Sequence, residues 1–152
     1  MGFNGEVLVG QGEAFIQALN RIWDWDEEVS DDWHLLDGWR AVCVRTPADD
    51  EELAELAQAA AGPVLACLVF ESDSGHIRGI SAAGTWTTPL GERQAKHPDA
   101  ARAAVEWAAR AGLLADASRV EEVLMLPWRP QVQRGFFAML AALGIADREF
   151  ED

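Results

Sequence analysis

Residues 63–71, PVLACLVFE, form an unbroken apolar run, followed by the turn-forming SDSG and then by HIRGIS. Such a run suits a strand buried on both faces. The short return makes 63–81 a hairpin, so at least part of the sheet is antiparallel. The rest of the chain has to pack around that centre.

Further strands are read at Glu6 to Val9, ending at Gly10, and at WRAVCVRT (39–46), by β-branched content. AAGTWTTPLG adds a short strand around Trp86, and VEEVLMLPW (120–128) reads as a strand closed by Pro127. Helical spacing of Phe15, Ile16, Leu19, Ile22 and Trp23 marks a first helix, whose apolar side continues through Trp25 to Val29. Ser30 is then expected to cap a short turn that opens on Asp31 and Asp32 and ends at Gly38.

In TPADDEELAELAQAAAGP, Thr46 is the expected N-cap, Pro47 the first helical residue, Asp49 the capping-box partner and Gly62-Pro63 the stop. Pro98 opens a third helix, with Arg102, Glu106 and Arg110 along one exposed ridge. A fourth starts near Pro130 and ends at Gly144, with Ile145 placed for a Schellman contact. ADREFED at the end reads as a frayed tail or a short edge strand.

These elements predict one domain over residues 1–152, of α/β or α+β class. It has a mixed sheet of five or six strands, containing the 63–81 hairpin and packed with about four helices. A chain of 152 residues is long enough to bury a core without disulfides or metals. No apolar run approaches the roughly 18 residues of a membrane span. MGFNGEVLVGQGEAF has neither a basic lead nor a long apolar core, so a cytoplasmic protein is expected, with reduced thiols at Cys43 and Cys67.

Charge narrows the partners. The net charge is −14, and residues 1–55 hold fourteen acids against three arginines. That field repels nucleic acid and anionic membranes and attracts basic surfaces.

Complete chemical motifs are missing. VLVGQGEAF has the first two glycines of a dinucleotide fingerprint, but Phe15 stands where the third is needed, which leaves a plain strand-to-helix turn. His34, His76 and His97 lie in three different elements with no second ligand at metal spacing, so no metal is expected. Both cysteines sit in apolar runs, and no GxSxG elbow accompanies the serines. ESDSG lacks the distal acids of a calcium loop and fits a hairpin turn.

Two fragments resemble acetyltransferases of the GNAT type. VRTPADDEELAEL looks like that family's opening strand and helix, and FFAMLAALGI is similar to its closing helix and turn. The resemblance implies a degenerate acyltransferase-like domain. The family's pyrophosphate loop, R/Q-x-x-G-x-G/A, is absent from ISAAGTWTTPLGERQAKHPDA, so acetyl-CoA binding lacks its cradle of amides and no cofactor is expected.

The most unusual stretch is RIWDWDEEVSDDWHLLDGW (21–39), with four tryptophans and seven carboxylates. Rings supply contact area at low entropy cost, and acids steer a basic partner. The leading expectation is a non-enzymatic protein of inhibitor, immunity or antitoxin type that occludes a basic protein. Asp24, Asp26, Glu27, Glu28, Asp31 and Asp32 would supply the field, and Trp25 and Trp33 the anchors. The competing expectation is a small-molecule binder or enzyme with an aromatic pocket of Trp86, Trp107 and Trp128 beside Arg129 and His76. A homo-oligomer would instead expose an apolar patch near Phe136 and Phe137.

Overall fold

A computed structural model describes residues 5–70, 74–82, 84–91, 98–128 and 131–146. Its strands are β1 (Gly5–Gln11), β2 (Val29–His34), β3 (Trp39–Val44), β4 (Val64–Phe70), β5 (Ser74–Ser81) and β6 (Gly84–Leu90). They form one six-stranded sheet in the order β2-β3-β1-β4-β5-β6. The hairpin is present, and every neighbouring pair is antiparallel, so the sheet has no parallel part among the described residues. Six helices accompany it: α1 (Gly12–Ile22), α2 (Trp25–Glu28), α3 (Asp50–Ala60), α4 (Pro98–Arg110), α5 (Ala117–Met125) and α6 (Val132–Leu143).

The strand order interlocks two crossovers. β3 lies between β1 and β2, so those two run parallel without touching and are joined through α1. β1 in turn lies between β3 and β4, which are joined through α3. Each unit is a βαβ split by a strand from the other. α1 and α3 therefore pack side by side on one face, burying Phe15, Leu19, Leu53 and Leu56 against Leu8, Val42, Val44 and Ala66.

Alternation along the strands turns the other set of side chains the opposite way. Val7, Val9, Trp39, Ala41, Leu65 and Ile77 meet α4, α5 and α6 in a second core. The result is a three-layer sandwich, covered unequally. On the α1/α3 side the last strand is bare, with Thr85, Thr87 and Pro89 all exposed.

One ionised group lies inside that layer. Glu6 on β1 is completely buried, and its carboxylate accepts the Ala48 N–H at 2.7 Å and Arg78 Nη2 at 2.5 Å. Arg78, on β5, reaches it across β4, where the small Ala66 stands in register with Arg78. The same guanidinium donates to the Ala48 carbonyl at 2.9 Å and to Asp50 Oδ1 at 3.0 Å. Both polar groups of the Ala48 peptide are thus satisfied by one ion pair, as burial requires.

Close packing over glycine fixes three aromatic rings. A Cβ at Gly10 would come within 2.2 Å of Phe15, one at Gly79 within 2.2 Å of Trp86, and one at Gly135 within 2.4 Å of Trp128. The Gly10-Gln11-Gly12 turn is accounted for this way: Gly10 admits Phe15, and Gly12 supplies a left-handed φ of 85°.

Four elements differ from what the sequence predicts. The first helix stops at Ile22, because the Trp23 indole N–H is drawn to the Thr46 carbonyl at 3.1 Å. The expected turn after Ser30 is strand β2, held by pairing with β3. α3 starts four residues after Thr46: Asp49 is the N-cap, in a capping box with Glu52, while Thr46 and Ala48 bond to other elements. Residues 120–128 are not a strand. Asp116 caps α5 by accepting the Arg119 N–H, and Val120, Val123 and Leu124 point into the core at helical spacing.

The last helix ends as expected. Gly144 is left-handed, its N–H bonds to the Ala141 carbonyl, and the N–H of buried Ile145 bonds to Leu140. Residues 147–152 of the tail lie outside the described residues.

Glu6→Ala should cost about 3–5 kcal/mol of unfolding free energy in urea, because it removes the fully buried partner of the ion pair and leaves the Ala48 N–H without its acceptor. The double variant Glu6→Ala/Arg78→Met should lose clearly less than the two single losses combined. Additive losses would show that the two groups do not act as a pair.

Candidate partner-binding site

The acidic segment becomes the β2 edge of the sheet. Asp24 caps α2, with Oδ1 accepting the Asp26 N–H at 3.1 Å. α2 is one turn long and delivers the chain to β2, which runs along β3 with an irregularity between Val29 and Asp31. Among the described residues no strand pairs with the outer side of β2.

Trp25 and Trp33 are both half-buried, and they flank this edge from opposite faces. Trp25 packs on the α1/α3 core. Trp33 packs on the other core and meets Phe137 edge-on, with ring centroids 5.0 Å apart. Phe136 and Phe137 are themselves buried and do not form the exposed apolar patch expected near them.

The carboxylates divide into two groups. Glu28 accepts the Thr46 N–H at 3.1 Å, and Asp32 accepts Arg40 Nη2 at 2.7 Å; both are occupied in holding the edge to the sheet. Asp24, Asp26, Glu27 and Asp31 are exposed. Asp31 accepts the Asp32 N–H at 3.0 Å, while the carboxylates of Asp26 and Glu27 make no bond among the described residues. Those four are the exposed carboxylates of residues 24–32.

The other tryptophans are dispersed through the second core. Trp107 is sealed, donates to the Ile80 carbonyl at 3.1 Å and lies 5.9 Å from Trp39, which is also sealed. Trp128 is half-buried and donates to Val123 at 2.9 Å. Trp86 is half-buried, and its buried Nε1 has no acceptor among the described residues. His76 is exposed and stands opposite Pro89, on the sheet face turned away from Trp86. Arg129 and His97 lie outside the described residues. Neither the groove beside α3 nor the cleft between α4 and α5 is lined by these rings.

Cys43 and Cys67 both stand opposite Val7, one from each neighbouring strand. Two strand spacings put them about 10 Å apart, beyond the roughly 7 Å Cα separation that a disulfide bridges. Both are free, and burial pushes both thiols up from the ordinary range. At Cys43 the Ser30 hydroxyl opposes that rise and the Asp31 charge adds to it; at Cys67 the Glu6 charge adds. Among the described residues no group of three or more His, Cys, Asp or Glu is arranged to hold a metal.

No family model matches the chain, and no curated protein or solved structure matches it. No helix among the described residues is long and apolar enough to cross a membrane.

A raised pKa lowers the thiolate fraction at any pH below it, and only the thiolate attacks a disulfide reagent. At pH 8 the native protein should react with an aromatic disulfide at least about a hundredfold more slowly than the urea-unfolded chain. Rapid labelling of either cysteine in the native state would contradict its burial.

Proposed function

We propose that the protein is a non-enzymatic, cytoplasmic binding protein of inhibitor, immunity or antitoxin type, and that it occludes a basic surface on a partner protein. One observation carries this: two half-buried indoles flank a sheet edge whose outward carboxylates at Asp24, Asp26, Glu27 and Asp31 have no cationic partner among the described residues. Negative potential at the edge raises the encounter rate with a basic protein, and the indoles lose their remaining hydration on docking. Glu28 and Asp32 contribute by fixing the edge, since their carboxylates are already bonded within the fold. The cytoplasmic setting accords with two unpaired, deeply placed thiols.

The test begins with a basic protein retained by the immobilised wild-type chain at low salt. Its association rate should fall by at least about tenfold between 50 mM and 500 mM NaCl. Asp26→Asn/Glu27→Gln/Asp31→Asn should slow association by about the same factor while leaving the urea midpoint nearly unchanged. Trp33→Ala should act mainly on dissociation, raising its rate by roughly thirtyfold, equivalent to about 2 kcal/mol. An association rate indifferent to salt and to the triple substitution would remove the proposal.

A further inference from the structure

The unequal covering of the sheet leaves a concave surface, remote in sequence from the acidic edge. A groove of about 840 Å³ opens where the C-terminal half of α3 meets the start of β4 and the end of β5. Its wall is Ala54, Ala57 and Gln58 of α3, Pro63 stands at its end, and Ile80 is its apolar floor. That floor is fixed from behind, because the Ile80 carbonyl accepts the Trp107 indole N–H at 3.1 Å from the opposite layer. The volume lies within the range of small-molecule sites, roughly 300–1,000 Å³.

Charge makes the groove selective. In a chain of net charge −14, the described residues lining it include no carboxylate, and the one ionisable group among them is Arg110 at the C-terminal end of α4. Arg40, Arg78, Arg102 and Arg119 each form a salt bridge; Arg110 forms none among the described residues. Without a bond among the described residues, its guanidinium presents donors in a fork that matches a carboxylate. Glu51 and Glu55 lie beside the wall on α3 but do not line the groove, so the charge that a bound molecule touches among the described lining residues is that of Arg110.

We infer that this groove binds a small amphiphilic carboxylate: an apolar body lies on Ile80 between α3 and the end of β5, and its carboxylate accepts from Arg110. Neither the acidic edge nor a protein partner is involved, so this site and the proposed function stand or fall separately.

Decanoate is the probe, titrated calorimetrically into the whole chain, with decanol as the neutral control. Decanoate should bind one to one, and decanol at least about fivefold more weakly. Arg110→Gln changes an exposed side chain and should weaken decanoate about five- to tenfold while leaving decanol unchanged. Ala54→Phe, also at an exposed position, narrows the groove without touching either core and should weaken both ligands. Circular dichroism should show both variants folded as the wild type. The inference is overturned if decanoate does not bind, if decanol binds as tightly, or if the two folded variants bind decanoate like the wild type.

Discussion

The fold turns on a buried ion pair that holds a loop. Glu6 sits on the central strand, Arg78 two strands away, and between them they bond both the N–H and the C=O of Ala48. Desolvating two charges is costly, and a well-packed apolar pair would often be as stable. What the ions add here is position. They fix the connection from β3 to α3 above the sheet, and that connection in turn receives the Trp23 indole on Thr46 O and the Glu28 carboxylate on Thr46 N. The end of α1, the turn of α2 and the start of α3 all converge there.

The acidic edge inherits its geometry from that anchor. Because Glu28 is tied to Thr46, the chain leaves α2 directly onto β3 and forms β2 as the outermost strand. Strand edges present unpaired backbone groups, and charged side chains discourage non-specific pairing. Asp31 meets part of that need by accepting the neighbouring Asp32 N–H. The same carboxylates give the edge the sign on which the proposed docking to a basic partner rests. Trp25 and Trp33 remain half-covered because each belongs to a different core layer, and neither layer extends past the edge.

The interlocked crossovers have a further consequence. They place α1 and α3 together over one part of the sheet and leave β6 on that face without a helix among the described residues. On the opposite face, three consecutive helices span the sheet more fully. The groove beside α3 follows from this imbalance, and its alanine wall keeps it from filling with side chains of the protein itself.

The amino-acid sequence alone determined the elements whose signals are local. The apolar run 63–71, the helix stop at Gly144 and Ile145, and the existence of a helix at the DDEE run, though not its first residue, all rest on periodicity, capping and turn chemistry within a few residues. It also determined that acids and indoles crowd together in residues 21–39. Tertiary contacts decided the rest. VSDDWH has no alternating pattern and is a strand because β3 had an open edge; VEEVLML is apolar enough for a strand, yet Asp116 caps it as a helix that covers the second core. Glu6 and Arg78, 72 residues apart, gave no sign of each other, since a buried pair is defined by strand order, which no window of sequence contains.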